Sequence, residues 1–333
     1  MPLQIRPLCM DDLDTIVEIA LENFHLERQS CNALPDSPDM DYIRRQLHTI
    51  IETGTGRIAI EKGRITGFLA FEKAFPVKEG VYGATSPLFG YGVRHGCGGC
   101  ENREVIIGRL FQDTAAELCR NYTQSIRVNV YAHDAKVLWM YIMTSFAMDV
   151  TEVVKDTDMP MVSSSAHGFT YREVSKKELL KYKSDIIELY RDLVNHLRVS
   201  PVFYHCRYFL PVEDRFDDFL SEDLRLFAAF EGDKLVGMID SEPVDIAMFS
   251  NASKALCMGD VFVKPDYRGA GVAAELLRFA NDELKKDGIR RLFVTHGTIN
   301  PNARGFWDKY FTNYSYTMTR KIDADMLGEI QRI

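Results

Sequence analysis

Six residues, Arg268-Gly-Ala-Gly-Val-Ala273, have the types and spacing to hold an anion. They follow a short apolar strand, Val261-Phe-Val263, which Pro265 stops, and they run straight into an amphipathic helix. Small residues at a strand-to-helix turn let several backbone N–H groups converge beside the positive end of the helix. A pyrophosphate is the natural guest of such a cradle. The spacing is not that of the dinucleotide fingerprint. Nor is it a Walker loop, which needs Lys and then Ser or Thr after its last glycine, whereas here Ala273 is followed by Ala274. The competing reading is a surface turn that contains two glycines.

A second feature sits just before the turn. Asp260 interrupts an otherwise apolar strand, and burial there raises a carboxylate pKa toward a range useful for proton transfer. A salt-bridged structural role is the plainer reading. Glu242 and His296, near strand ends, are secondary candidates.

The elements that must position these residues can be read from periodicity. Leu3–Pro7 alternates as a half-buried strand, and Asp11 or Asp12 offers an N-cap to a helix striped by Leu13, Ile16, Val17, Ala20, Leu21 and Phe24. A second helix is expected over Met40–Ile51. Arg57–Phe71 reads as two strands around a Lys-Gly turn, with Gly67 marking a bulge or a close backbone approach. Glu79–Cys100 is rich in glycine and yields no assignment. A helix over Glu104–Cys119, a strand over Ile126–Tyr131, a helix through Trp139 and Ile142 and a strand over Met148–Val154 complete the half. The Pro, Gly and Ser residues between Asp156 and Gly168 read as a linker. The expected domains are therefore 1–160 and 168–333.

The second half repeats the order of the first. Phe169–Val174 is a strand, Ser175 and Glu178 form a capping box, and the next helix carries Leu179, Ile186, Leu189, Leu193 and Leu197. A less regular stretch with Pro201 and Pro211 precedes Leu226–Ile239, a hairpin on a Gly-Asp turn. Ala59-Ile-Glu-Lys-Gly-Arg-Ile-Thr-Gly67 and Ala229-Phe-Glu-Gly-Asp-Lys-Leu-Val-Gly237 share their pattern at a period near 170 residues. The segments around Trp139 and Trp307 correspond likewise. The chain reads as a tandem duplication of one α/β domain with a mixed sheet flanked by helices.

The turn at Arg268–Ala273 resembles the Gln/Arg-x-x-Gly-x-Gly/Ala signature of the GCN5-related N-acetyltransferases, and the element order is similar to that fold over nearly the whole chain. The resemblance implies two tandem GNAT-like domains. The first, 1–160, is expected to be degenerate and non-catalytic, and the second, 168–333, to use acetyl-CoA as co-substrate. It implies that Arg268, Gly269, Ala270, Gly271, Val272 and Ala273 give N–H groups to the pyrophosphate. The strand Val261, Phe262 and Val263 would hold the pantetheine arm through its backbone, with the Val261 N–H near the thioester oxygen. Plain core packing is the alternative for the valines. Asn300-Pro-Asn-Ala-Arg-Gly-Phe-Trp-Asp-Lys309 resembles the family's Asn-x-x-Ala-x-x-Phe-Tyr-x-Lys pattern, so Asn300 would cap a helix and reach the pantetheine. The family's frequent acid, a tyrosine, falls on Trp307, whose indole N–H is no general acid. Tyr310, or solvent, would then protonate the departing thiolate, and Asp260 would serve as general base.

In the first half, Arg94-His-Gly-Cys-Gly-Gly99 comes near the signature but places Cys97 where a glycine belongs. Cys97, Cys100 and His95 suggest zinc only superficially, because no second ligand pair completes four; no metal is expected.

The 333 residues, 46% hydrophobic and 26% charged, suit a globular protein, and the net charge of −8 disfavours nucleic acid as a partner, because phosphate binding needs a clustered basic surface. The N-terminal residues lack signal-peptide features, and no run approaches the roughly 18 apolar residues of a membrane span. Seven scattered cysteines fit a reducing cytoplasm rather than a disulfide framework. The expected reading is a cytoplasmic N-acetyltransferase, monomer or homodimer, acting on a small-molecule or peptide amine acceptor by direct attack in a ternary complex. A non-catalytic acyl-CoA-binding or regulatory protein is the rival, and a nucleotide-binding domain a third. Val199–Phe219 and Glu242–Ser253 would supply the acceptor site.

Overall fold

The structure is a computed structural model that describes residues 3–78, 81–95, 102–161, 168–204, 211–221, 224–244, 254–323 and 325–327. Its contacts divide the chain into two compact units. One takes the described residues up to 152 together with those from 313 on, and the other runs from 153 to 312. The sequence places the division at 160–168 and gives everything after it to the second domain. The difference at the C-terminus is a matter of long-range strand pairing, which periodicity does not report.

The first unit begins with β1 (Gln4–Pro7), α1 (Leu13–Ser30), α2 (Met40–Thr53), β2 (Thr55–Glu61) and β3 (Arg64–Phe71). Then come β4 (Phe75–Lys78), β5 (Val81–Ser86), β6 (Tyr91–Val93), α3 (Arg103–Arg120), β7 (Thr123–Tyr131), α4 (Ala135–Met143) and β8 (Ala147–Asp156). One sheet has the order β1-β2-β3-β6. In the other, β5 runs parallel to β7 and pairs with β4. The turn Lys62-Gly63 has positive φ at both residues, as a tight hairpin on a right-twisted ladder requires. Asp12 stands at the N-cap of α1 but makes no side-chain bond to the helix. Its carboxylate takes Arg6 at 2.7 and 2.8 Å and the Cys9 N–H at 3.0 Å, closing a short turn just before the helix.

The second unit contains β9 (Thr170–Val174), α5 (Lys176–Leu179), α6 (Lys183–Arg198), α7 (Val212–Ser221), β10 (Arg225–Glu231) and β11 (Lys234–Pro243). After these come β12 (Ala255–Val263), α8 (Val272–Lys286), β13 (Arg291–Gly297) and α9 (Pro301–Trp307). The last strand, β14 (Thr312–Lys321), pairs antiparallel to β7 from Ser315 opposite Tyr131 to Lys321 opposite Ser125. That pairing is why the chain end counts with the first unit.

Within the second unit the strand order is β13-β12-β11-β10-β9. Its two faces bury separate cores. Leu276, Leu277, Ala280 and Leu284 of α8 and Trp307 of α9 pack on one side with Val236, Ile239, Leu292 and Val294. Ile186, Leu189 and Leu193 of α6 and Phe216 and Phe219 of α7 pack on the other with Leu226, Met238 and Phe262. Each large apolar side chain so buried contributes about 1.5–3 kcal/mol. Lys155, buried, donates its Nζ to the carbonyls of Asp156 and Met159 at 2.9 and 2.8 Å and to Asn281 Oδ1 at 3.2 Å, tying the chain after β8 to α8.

The repeat has a defined register. Ala59 faces Gly67 and a bulge follows; Ala229 faces Gly237 and the same bulge follows. Gly67, Phe68 and Leu69 of β3 face Val93, Gly92 and Tyr91, as Gly237, Met238 and Ile239 of β11 face Val263, Phe262 and Val261. The chain is a mixed α/β fold with two copies of one unit in tandem. No helix among the described residues is long and apolar enough to cross a membrane.

Candidate functional site

Strand β12 is held differently along its two halves. Ala255, Leu256 and Cys257 pair in parallel with Arg291, Leu292 and Phe293, and among the described residues the β12–β13 pairing goes no further. From Met258 to Val263 the strand is held by β11, so β12 and β13 part in the middle of the sheet. Lys264 donates its N–H to Val236 O at 2.9 Å, on the β11 side. By strand alternation the backbone groups of Val261 and Val263 face the opening. An extended ligand arm laid there would meet an unpaired strand edge.

The strand ends in the turn singled out from sequence. Pro265–Tyr267 makes a short 3-10 turn, and Gly269 and Gly271 follow with φ of +80° and +82°. Side-chain-bearing residues pay about 1–2 kcal/mol for that left-handed conformation, which makes glycine the fitting residue. Gly271 is the N-cap of α8, and Glu275 N–H is the first to close a helical turn, on Gly271 O at 3.1 Å. The N–H groups of Val272, Ala273 and Ala274 precede any intrahelical acceptor. Arg268 folds back, donating Nε to Val263 O at 3.0 Å with its guanidinium 4.7 Å from the Phe262 ring centroid. Arg268 to Ala273 thus forms one turn at the positive end of a 15-residue helix.

Asn300 is the N-cap of α9, its Oδ1 accepting from Asn302 and Ala303 N–H groups at 3.1 and 3.3 Å. Trp307 is 3% exposed and lies in the α8–α9 core between Phe306 and Phe311. Tyr310 is half-buried with its ring against Phe306. His296 faces the same side. Its Nδ1 is 3.4 Å from Gly297 O and its Nε2 3.8 Å from Asp308, and burial pushes its pKa below the ordinary value.

On the other face lies a cluster that the sequence disclosed only in part. Asp260 is half-buried there, and beside it is Asp240 of β11, fully buried. Asp240 Oδ1 accepts the Asp260 N–H at 3.1 Å, and Oδ2 accepts the Tyr190 hydroxyl from α6. Arg215 of α7 places Nη2 3.7 Å from Asp240 and 3.8 Å from Glu242. Burial and the facing Asp260 charge raise the Asp240 pKa, with Arg215 opposing. Asp260 is likewise raised, by burial first, with Arg215 opposing and Glu242 adding to it. Two carboxylates so placed do not both ionise readily near neutral pH.

Sequence reasoning missed Asp240, Tyr190 and Arg215. The available signal was Gly259, a glycine within a strand that marks a close approach. A Cβ there would lie 1.9 Å from Asp240 Oδ1. It also missed Tyr204, whose hydroxyl lies over the end of β13, 2.3 Å from where a Cβ on Gly297 would sit.

One correspondence drawn from sequence is corrected. Arg94 follows β6 as Lys264 follows β12, each donating its N–H to the preceding hairpin, so Arg94 is not the counterpart of Arg268. The segments around Trp139 and Trp307 are α4 and α9, and counting from their N-caps Asp134 and Asn300 sets Trp307 against Tyr141. Cys97 and Cys100 lie outside the described residues.

Residues 190–311 match the Acetyltransferase (GNAT) family. No curated protein matches the chain. Among solved structures, a GCN5-related N-acetyltransferase from Sphaerobacter thermophilus is 12% identical, over 96% of this chain and 95% of that one, with a TM-score of 0.49. A tandem GNAT protein from the clavulanic acid biosynthesis pathway is 14% identical over 96% and 98%, with a TM-score of 0.42. An aminoglycoside acetyltransferase from an uncultured soil metagenomic sample is 16% identical over 42% and 84%, with a TM-score of 0.33. The match to the acetyltransferase (GNAT) family thus falls within the second unit, residues 153–312.

Proposed function

We propose that the second unit is an acetyl-CoA-dependent N-acetyltransferase and that the first unit is a non-catalytic copy. The observation that carries this reading is the parting of β12 from β13 at Cys257, with the open strand edge leading directly into the two left-handed glycines and α8. The pantetheine arm lies along Val261, Phe262 and Val263, and Asn300 reaches it from the start of α9. The pyrophosphate takes N–H groups from Gly269, Ala270, Gly271, Val272 and Ala273; the Arg268 N–H, expected from sequence to join them, is instead given to Pro265 O at 3.1 Å. The Val261 N–H donates to the thioester oxygen, where negative charge develops as the amine attacks.

The acceptor is a primary amine on a small molecule or peptide, and it attacks directly in a ternary complex. It arrives largely as an ammonium and must lose a proton first. Asp260 accepts that proton, directly or through water, its pKa raised by burial first and by the nearby Glu242, with Arg215 opposing. The nitrogen lone pair then attacks the thioester carbon, and the tetrahedral intermediate expels the thiolate. Tyr310 is the proposed proton donor to that thiolate. Tyr204 is the second hydroxyl to test, and solvent suffices for a thiol with a pKa near ~8.5. The scattered cysteines and the net charge of −8 support a cytoplasmic protein without a nucleic-acid partner, and we take it as a monomer or homodimer with no membrane partner.

Release of free thiol from acetyl-CoA over a panel of amines tests the reading. Turnover with at least one amine, lowered roughly a hundredfold or more in Asp260→Asn, is expected. Acetyl-CoA binding without turnover on any amine would instead favour the acyl-CoA-binding regulator, which the burial of Trp307 at the family's tyrosine position motivates. Tyr310→Phe and Tyr204→Phe assign the acid.

A further inference from the structure

We propose that Asp240 is a positioning residue for acetyl transfer: anchored by Tyr190 and Arg215, it fixes a bulge at Gly259–Asp260 that sets both the Val261 N–H and the Asp260 carboxylate. The inference rests on the N-acetyltransferase reading above.

The strand register locates the bulge. Ile239 faces Val261 and Ser241 faces Met258, so Asp240 alone stands opposite both Gly259 and Asp260. A bulge leaves one residue outside the ladder. Here the Asp260 N–H is taken by Asp240 Oδ1 at 3.1 Å. The carboxylate lies so close to the strand that only glycine fits at 259. Its other oxygen is held from α6 by the Tyr190 hydroxyl and from α7 by Arg215. Asp240 therefore cannot move without moving the strand, and Val261 is the next residue along it.

The same contacts govern charge. The ionisable groups around Asp240 are Asp260 on β12, Glu242 on β11, Tyr190 on α6 and Arg215 on α7, the last also 3.8 Å from Asp218. The carboxylates Asp240, Asp260 and Glu242 share one guanidinium. The Asp260 charge is among the causes that raise Asp240, so Asp260 ionises first and Asp240 keeps its proton beside it. At the equivalent places the first unit has Ala70 and Gly90, joined by a plain backbone bond of 2.7 Å, and its strand breaks into β5 and β6 there.

Asp240→Asn in the full chain separates positioning from simple structural support. It keeps an oxygen for the Asp260 N–H and is neutral, as the protonated carboxyl is. The expected result is acetyl-CoA affinity within about twofold of wild type and kcat within about threefold. Asp240→Ala lacks the acceptor and is expected to lower kcat about tenfold or more at every pH. Unchanged kcat in Asp240→Ala, or a loss in Asp240→Asn as large as in Asp240→Ala, would overturn the proposal.

A titration of wild-type protein carrying 13C-labelled aspartate side chains is independent of turnover and of variant folding. Two aspartates titrating together, above the ordinary carboxylate range, are expected. If all aspartates titrate singly in that range, the proposal falls even for an active enzyme. If no amine is acetylated while the coupled pair is seen, it is the N-acetyltransferase reading that has failed, and the catalytic role of Asp240 with it.

Discussion

Ala70 and Gly90 stand in the first unit where Asp240 and Asp260 stand in the second, in a hairpin and third strand of identical register. The same backbone therefore serves two ends. In the second unit, β12 is one strand that leaves β13 at Cys257 and keeps an open edge. In the first, Pro87 to Gly90 split the corresponding strand, β5 pairing with β7 and β6 with β3. Tyr91, the counterpart of Val261, is buried, and its hydroxyl accepts the Tyr131 N–H at the end of β7 at 3.0 Å.

The contrast extends to the helix that follows. Val272 opens α8 behind a left-handed glycine, whereas α3 opens with Arg103. A cation at a helix N-terminus opposes the helix dipole. Arg103 turns inward, to Val93 O at 3.0 Å and to Asp134 at 2.6 Å, and also bonds Asn23. Those contacts give the first unit polar structure of its own across the region that in the second unit stays open. The lesson is that a duplicated fold can retain its register while side chains from within occupy the former opening.

The largest effect expected from breaking this contrast is in Arg103→Ala. It leaves the buried Asp134 carboxylate without its cation and should cost about 3–5 kcal/mol of stability, read as a fall in denaturation midpoint. Acetyl-CoA affinity should not change. A loss of affinity with stability intact would place the ligand in the first unit and undo the comparison. Tyr91→Phe should cost less, about 1–3 kcal/mol, because it strands one backbone N–H. The number of acetyl-CoA molecules bound should stay the same, since removing one hydroxyl does not supply an anion cradle.

The smallest effect concerns His296, whose counterpart in the first unit, counted from the two N-caps, is the buried Val130. Burial lowers the His296 pKa, so the folded chain binds that proton less readily than the unfolded chain. The associated stability is present above the ordinary histidine value of about 6.5 and is lost as pH falls through the lowered folded value. His296→Gln should therefore flatten the fall in stability on the acid side. A fall as steep as in wild type would show that other groups carry it.

Much of this was legible in the sequence where the signals are local. The two hairpins follow from alternation and turn residues, the Asn300 cap from the resemblance of Asn300–Lys309 to the family pattern, and Asp260 from being polar in an apolar strand. Asp240 is not legible, because it directly follows the apolar run ending at Ile239, where a polar residue is unremarked. Its burial depends on Tyr190 and Arg215, each brought in by a helix distant in sequence. The helix over Val212–Ser221 was read as irregular because Pro211 suggested a break, although proline is also a common helix-start residue. The placement of the last strand depends on a partner far away in sequence, and no short window contains that information.

The central claim is that the two units differ in competence and that the turn at Arg268–Ala273 is the one that holds the cofactor. Isothermal titration of the full chain with acetyl-CoA tests it most directly. The account predicts one acetyl-CoA per chain, and no measurable heat in Gly271→Glu, whose side chain would put a negative charge and a strained left-handed backbone in the cradle. Two molecules per chain, or binding that survives Gly271→Glu unchanged, would contradict it.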